Sequence, residues 1–183
     1  TKAFVDFDGE PMLQRIIGRF QPQVRELILS VEQDKSRYET FALPMFSDLE
    51  VGPHGPLMGL ASAFQFTQAK TDIALCPCDA PFVPANLVSI LAEKMEAEGA
   101  DIVCPSYQGE LQPTFALWNK RTAERVIEAA TKEQIGGLRA LYSEFSVIKL
   151  DWPQAECNQE YNQKLNPFFN INTPEELNFA LSL

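Results

Sequence analysis

The chain has 183 residues, and its contents of 45% hydrophobic and 22% charged residues are those of a folded globular domain rather than of a disordered chain. With 15 Lys and Arg against 25 Asp and Glu, the formal net charge is −10, which argues against a basic nucleic-acid-binding surface and against binding to anionic membranes. No apolar run approaches the roughly 20 residues of a membrane span, so we expect neither a nucleic acid nor a membrane among the partners.

Short apolar runs alternate with longer amphipathic stretches along the whole chain. We predict strands at 3–7, 26–31, 44–46, 72–76, 101–105, 114–118 and 146–150. Helices are predicted at 11–20, 35–40, 57–68, 84–98, 120–128, 136–145 and 174–183. This alternation predicts an α/β fold with a mostly parallel sheet that is covered by helices on both faces.

Local signals mark the ends of two of these elements. The pair Asp8-Gly9 predicts a tight turn after the first strand. Thr173 and Pro174, followed by two glutamates, predict a capped start for the last helix, because a hydroxyl, a proline and acidic residues all suit the first turn.

The four cysteines are Cys76, Cys78, Cys104 and Cys157, and they do not have the paired C-x-x-C spacing of a zinc site. Three of them lie in or beside apolar runs. We therefore interpret them as reduced thiols of a cytoplasmic protein.

The chain has a single histidine, His54, in a loop rich in Pro and Gly, where we expect an exposed side chain. A Ser/His/Asp set and the zinc motif H-E-x-x-H are both missing, which excludes acyl transfer and zinc hydrolysis of these kinds. Metal-supported phosphoryl or nucleotidyl transfer remains, since it needs no side-chain nucleophile.

Candidate site residues follow the predicted strands, because ligands of open α/β sheets bind at the carboxyl ends of strands. Asp79 follows strand 72–76 and lies between two prolines. Its carboxylate is a suitable oxygen ligand for Mg²⁺, and a turn or helix-cap role is the alternative. Asp48 follows strand 44–46, where it could accept hydrogen bonds from a base or a sugar.

Two glycines, Gly55 and Gly59, stand at the start of helix 57–68 and would let the backbone approach a ligand closely. A Gly-rich turn that opens a helix can bind an anion, although G-P-x-x-G also describes the ordinary start of a helix. Gln112 follows a turn-like Gly-Glu pair and could face the same crevice.

Asn170 and Asn172 stand at alternate positions and therefore project to the same side of an extended backbone. Two amides on one face can donate and accept hydrogen bonds, which suits a heteroaromatic ring or a ribose. Asn172 or Thr173 can also cap the last helix, and capping does not exclude ligand binding.

In this order and at these spacings, the residues resemble those of the molybdenum cofactor guanylyltransferases, the MobA family, over the whole length of the chain. The resemblance is carried by Lys2-Ala-Phe, Asp8-Gly-Glu-Pro11, Ser47-Asp48, Gly55-Pro-Leu-Met-Gly59, Cys76-Pro-Cys-Asp79-Ala-Pro-Phe, Gln112-Pro-Thr and Asn170-Ile-Asn172-Thr-Pro-Glu-Glu-Leu. It implies a three-layer, Rossmann-like fold of the nucleotide-diphospho-sugar transferase kind. It also implies transfer of GMP from GTP to the terminal phosphate of molybdopterin, with Mg²⁺ as cofactor and pyrophosphate as the second product.

The resemblance assigns nucleotide roles to five residues. Lys2 corresponds to a lysine that contacts the nucleotide phosphates, Asp48 to an aspartate at the GTP site, and Asp79 to the Mg²⁺ ligand. Lys2 and Asp79 are thereby the expected catalytic pair. Gly55 and Gly59 correspond to the functional glycines of the family's G-P-L-x-G loop.

On the molybdopterin side, Asn170 and Asn172 correspond to the family's asparagines, and we place Gln112 with them. Ser30 stands where the best-known members have an asparagine that contacts the nucleotide. Transient contacts with cofactor-synthesis proteins and acceptor redox proteins are also expected. A cytidylyltransferase or sugar-nucleotidyltransferase of the same fold, and an inactive module that binds nucleotide or cofactor, remain as alternatives.

Family members open with a strand and a Gly-rich loop of the form L-A-G-G-x-x-x-R-M-G-x-D-K, and here only the final lysine, Lys2, has a counterpart. We expect a single nucleotidyltransferase domain over 1–183, with that strand and loop preceding Thr1 in the whole protein.

Overall fold

The computed structural model of the chain describes residues 2–152 and 166–182, which form short strands alternating with helices. The strands are β1 (Asp6–Phe7), β2 (Glu10–Pro11), β3 (Leu29–Ser30), β4 (Met45–Phe46), β5 (Ile73–Ala74), β6 (Ile102–Tyr107), β7 (Glu110–Leu111), β8 (Leu117–Trp118) and β9 (Val147–Asp151). The α-helices are α1 (Met12–Phe20), α2 (Lys35–Tyr38), α3 (Pro56–Phe66), α4 (Leu87–Glu98), α5 (Ala123–Thr131) and α6 (Pro174–Leu181). No helix in the described ranges is long and apolar enough to cross a membrane.

The larger sheet is built around β6, whose six residues are all buried. β9 pairs with β6 in parallel, whereas β7 and β8 pair with β6 in the antiparallel direction. Since β8 also pairs antiparallel with β5, the strands β5, β6 and β9 run in one direction. β3 and β4 form a separate parallel pair. The predicted α/β class is confirmed, and β7 and β8 are the reversed strands.

Alternate residues of β6 face two different hydrophobic layers, as the pleat of a strand requires. Ile102 and Cys104 pack in a cluster with buried side chains of α3 and α5, including Leu60. Val103 packs in a second cluster with Leu91 and other side chains of α4. Helices therefore cover both faces of the sheet, as predicted.

The predicted first strand at 3–7 is wrong for its first half, because Lys2–Phe4 form a turn of 3-10 helix. The N–H of Val5 donates to the carbonyl of Lys2 at 3.1 Å and closes this turn. Only Asp6–Phe7 are extended, and they pair with β2 in a hairpin. Asp8 and Gly9 have φ of 58° and 88°, which confirms the predicted tight turn, since two-residue hairpin loops favour positive φ at both positions.

The predicted helix at 136–145 is a 3-10 helix over Leu138–Glu144 rather than an α-helix. Leu138 and Leu141 are both buried, and a spacing of three residues places them on one face of a 3-10 helix. The last helix begins as predicted: Pro174 is its first residue, and Thr173 forms a capping box with Glu176.

The strand predicted at 114–118 is reduced to β8, because Pro113–Phe115 form a 3-10 turn. Pro113 has no N–H to give to a strand ladder, so extension can resume only after it. The strands predicted at 26–31 and 72–76 are likewise reduced to the two-residue strands β3 and β5.

Candidate active site

Three residues far apart in the sequence meet beyond the end of β5. The ammonium nitrogen Nζ of Lys2 lies 3.0 Å from Oδ2 of Asp79, and the same nitrogen donates to Oδ1 of Asn172. The side chain of Asp79 is only 15% exposed, while that of Lys2 is 46% exposed. The structure thus brings together a predicted phosphate-binding lysine, a predicted metal ligand and a predicted molybdopterin-binding amide.

The backbone fixes the distance between these residues. The N–H of Ile171 donates to the carbonyl of Asp79 at 2.8 Å, so the 170–172 segment runs beside the turn that carries Asp79. The N–H groups of Asn172 and Thr173 both donate to Oε2 of Glu176, at 2.6 and 2.9 Å. Asn172 is therefore held by the start of α6, and its side chain remains available to meet Lys2.

Asn170 presents a different feature, a buried side-chain oxygen without a donor. Its Oδ1 has no hydrogen-bond partner among the described residues, although its backbone carbonyl accepts a long contact of 3.5 Å from Nδ2 of Asn172. An unsatisfied buried acceptor is unfavourable in the free protein, and a ligand that brings an N–H or O–H group would satisfy it.

A second group of predicted residues lies where β3 and β4 end. The hydroxyl of Ser30 donates to Oδ1 of Asp48 at 3.2 Å, and the N–H of Asp48 donates to Oε1 of Glu32 at 2.6 Å. Burial raises the pKa of Asp48 above its ordinary value; the Ser30 hydrogen bond opposes this rise and the neighbouring Glu32 charge adds to it.

Glu32 was not predicted as a site residue. A signal was present in the sequence, because Glu32 lies two positions after Ser30 and alternate residues of an extended segment share a side.

The two predicted glycines sit against the neighbouring segments at different distances. A Cβ atom placed on Gly59 would lie 3.8 Å from Oδ1 of Asp48, which is ordinary contact, so α3 begins directly beside that carboxylate. A Cβ on Gly55 would lie only 3.0 Å from the carbonyl oxygen of Gly136. The backbone N–H of Leu57 donates to this same oxygen at 3.4 Å. Gly55 is therefore needed for the close approach of two backbones.

A third glycine, Gly52, was missed by sequence reasoning. It has φ of +111°, and a Cβ there would lie 2.4 Å from the carbonyl oxygen of Ala130. Both features require glycine. A residue with a side chain strongly disfavours this φ, and its Cβ would clash with a carbonyl oxygen that belongs to the backbone of α5.

Gln112 makes its hydrogen bonds with its own neighbours in the sequence. Its Nε2 donates to the carbonyl of Glu110 at 3.2 Å, and its N–H donates to the carbonyl of Pro105 at 2.8 Å. Among the described residues, its hydrogen bonds stay within the 105–115 segment. The placement of Gln112 beside the two asparagines stays a prediction.

A metal ion at this site would rely on few protein ligands. Within 2–152 and 166–182 there is no group of three or more His, Cys, Asp or Glu side chains able to hold a metal. Mg²⁺ usually takes one or two carboxylates together with waters and substrate phosphates, so the single Asp79 carboxylate fits an ion shared with a nucleotide.

The neighbouring cysteines, Cys76 and Cys78, have thiols of raised pKa. Burial raises the pKa of the Cys76 thiol, which disfavours its thiolate form in the metal-free protein. Cys76, Cys78 and Cys104 are free thiols, and Cys157 lies outside the described residues.

Curated relatives match the chain over nearly its whole length. The molybdenum cofactor guanylyltransferase of Shewanella amazonensis is 33% identical over 178 residues, which are 96% of this chain and 84% of that protein. The enzyme of the same name from Shewanella woodyi is 32% identical with the same coverage.

Solved structures show the same fold. Molybdopterin-guanine dinucleotide biosynthesis protein A from Archaeoglobus fulgidus superposes with a TM-score of 0.77 at 20% identity, covering 99% of this chain and 89% of that one. Rv0371c from Mycobacterium tuberculosis in complex with manganese superposes with a TM-score of 0.65 at 12% identity, covering 100% of this chain and 92% of that one.

The sequence model of one family, described as the MobA-like NTP transferase domain, matches residues 1–149. This span includes Lys2, Asp48 and Asp79, and the curated relatives extend the match through Asn170 and Asn172. The resemblance seen in the motifs is confirmed, and the chain belongs to the MobA-like NTP transferase family of nucleotidyltransferases.

Proposed function

We propose that this protein transfers GMP from GTP to the terminal phosphate of molybdopterin and releases pyrophosphate. The observation that carries the proposal is the contact of Lys2, Asp79 and Asn172. It joins a cation for phosphate, a carboxylate for a metal and an amide for the acceptor at one point, in a chain about one third identical to enzymes named for this reaction.

The reaction needs no covalent intermediate on the protein. An oxygen of the molybdopterin phosphate attacks the α-phosphorus of GTP in line, a P–O bond forms, and the bond to the β-phosphate oxygen breaks with that oxygen keeping the electron pair. Mg²⁺ bound by Asp79 and the phosphates would neutralise charge that develops on their oxygens.

Lys2 supplies the positive charge of the protein at this point. Its ammonium group lies 3.0 Å from Asp79, and it can move to phosphate oxygens when the nucleotide binds because its side chain is half exposed. A cation positioned beside the leaving pyrophosphate lowers the barrier by stabilising the charge that develops there.

Asn170 and Asn172 would bind the acceptor. Amide groups both donate and accept hydrogen bonds, which matches the alternating donors and acceptors of a pterin ring. The buried Oδ1 of Asn170, which has no partner among the described residues, would accept from a ring N–H, and Asn172 would orient its amide through the contact with Lys2.

Ser30, Asp48, Gly55 and Gly59 would form the nucleoside part of the site. Guanine offers two neighbouring N–H donors on one edge, and the Asp48 carboxylate beside the start of α3 is a matching acceptor. We also propose that the protein acts in the cytoplasm and that its product passes to redox enzymes.

The nearest alternative is a cytidylyltransferase of the same fold, because Ser30 departs from the family's asparagine and this departure weakens the guanine assignment. The discriminating assay incubates the protein with molybdopterin, Mg²⁺ and equal amounts of GTP and CTP, and identifies the dinucleotide formed. We expect the guanine dinucleotide and one pyrophosphate for each product molecule. A cytosine product would overturn the guanylyl assignment, and nucleotide binding without any product would indicate the inactive module.

A further inference from the structure

One arginine outside the proposed reaction centre donates four hydrogen bonds to two carboxylates. Arg125 lies on α5, and its guanidinium donates to the two oxygens of Glu133 at 2.7 and 3.1 Å. It also donates to the two oxygens of Glu144 at 2.5 and 2.8 Å. Bidentate pairs of this kind fix direction as well as distance. Arg125 therefore ties α5 to both ends of the 133–144 segment.

The segment between these glutamates supports the glycine loop of the proposed nucleotide site. Gly136 accepts the N–H of Leu57 in the first turn of α3, and its carbonyl oxygen would lie 3.0 Å from a Cβ on Gly55. Pro53 lies 3.8 Å from the position of a Cβ on Gly136. The loop and the segment are thus in direct backbone contact.

The same loop also rests on α5 itself. A Cβ on Gly52 would lie 2.4 Å from the carbonyl oxygen of Ala130 in α5. The loop therefore sits against two elements, α5 and the 133–144 segment, and Arg125 joins these two elements by charged hydrogen bonds.

We propose that Arg125 is a positioning residue for the nucleotide-binding loop around Gly55–Gly59. The inference rests on the proposed function for the identity of the ligand, and on the contacts above for the coupling. When the clamp is removed, the 133–144 segment moves away from the loop and the loop is no longer preorganised. Nucleotide binding weakens, because binding must then order the loop, whereas chemistry at Asp79 is unaffected.

Hydrogen exchange of the ligand-free protein tests the coupling without reference to activity. Arg125→Met removes the clamp, and Arg121→Met is the matched control, since Arg121 pairs with Asp101 and the carbonyl of Gly99 instead. We expect amides of the 52–59 loop to exchange at least about fivefold faster in Arg125→Met and at the wild-type rate in the control. Unchanged exchange in Arg125→Met overturns the inference.

Steady-state kinetics then test the consequence. We expect Arg125→Met to raise the KM for GTP about five- to tenfold with kcat within twofold, whereas Arg121→Met leaves both unchanged. A lower kcat at unchanged KM contradicts a positioning role. If Arg125→Met does not fold, Glu133→Gln and Glu144→Gln replace it; each keeps the shape, weakens one pair, and should move KM in the same direction. An inactive wild-type protein would contradict the proposed function, while the exchange result would still decide the coupling.

Discussion

The two aspartates of the candidate site have different surroundings. Asp79 has a lysine ammonium at 3.0 Å, whereas Asp48 has a hydroxyl donor from Ser30 and a second carboxylate, Glu32, nearby. A carboxylate with a cation beside it suits a metal and phosphate centre. A carboxylate that is partly buried and beside a hydroxyl donor suits a neutral ligand with N–H donors, such as a base.

The raised pKa of Asp48 makes a prediction about stability and pH. Below the ordinary carboxyl pKa of about 3.9 the group is protonated in both states and has no net effect. As the pH rises, Asp48 ionises at a lower pH in the unfolded chain than in the folded protein. Its contribution to the free energy of unfolding therefore falls with pH and becomes constant once the folded-state pKa is passed. Urea unfolding from pH 3.5 to 7 should therefore show that Asp48→Asn gains stability relative to wild type with rising pH. A constant difference would contradict the raised pKa.

Gly55 makes a prediction about packing. Gly55→Ala places a methyl group 3.0 Å from the Gly136 carbonyl and should lower the free energy of unfolding by about 1–3 kcal/mol, as overpacking does. Gly137→Ala is the control, because no atom lies within 4 Å of its Cβ position and its φ is −102°. Urea denaturation of both variants measures this difference. Equal free energies of unfolding for the two variants would contradict the predicted overpacking.

At the scale of elements, the start of α6 has two roles. Thr173 accepts the N–H of Glu176 at 3.2 Å, and Glu176 accepts the N–H groups of Asn172 and Thr173. The capping box that begins the helix thus also fixes the backbone of the asparagine that meets Lys2.

Removal of the cap should therefore affect both stability and acceptor binding. Thr173→Ala should cost about 1 kcal/mol and raise the KM for molybdopterin, whereas Thr173→Ser should keep both near wild type. Thr71→Ala, at an exposed position outside any helix, is the control and should stay within about 0.5 kcal/mol. Thermal unfolding and initial rates provide the measurements. A loss of stability without any change in KM would show that the cap does not affect acceptor binding.

Some local structures of these elements could be predicted from the sequence, and others could not. The Asp8-Gly9 turn and the Thr173 cap were predictable, because each depends on a few adjacent residues with strong local preferences. The 3-10 helices at Lys2–Phe4 and Leu138–Glu144 were not, since they depend on tertiary packing of the apolar side chains they carry.

The residues of the candidate site divide in the same way into those that could be predicted from the sequence and those that could not. Asp48 and Asp79 could be predicted because they follow strands, whereas the need for glycine at position 52 arises from a backbone 78 positions away, at Ala130.

At the scale of the whole molecule, the fold brings residues that are far apart in the sequence together at one point. Lys2 contacts Asp79 and Asn172, which lie 77 and 170 positions away. The centre is therefore assembled only when the sheet, the turn after β5 and the start of α6 are all in place. The net charge of −10 does not prevent phosphate binding at this point, because a single ammonium group can bind phosphate locally.

The most direct test of this account is GMP transfer by Asp79→Asn in a single-turnover assay with GTP, molybdopterin and Mg²⁺. Asp72→Asn is the matched control, because Asp72 flanks the other end of β5 and its carboxylate accepts the N–H of Lys120. We predict that Asp79→Asn loses transfer by at least about 100-fold while it stays folded, and that Asp72→Asn keeps it. Transfer by folded Asp79→Asn at the wild-type rate would contradict the account.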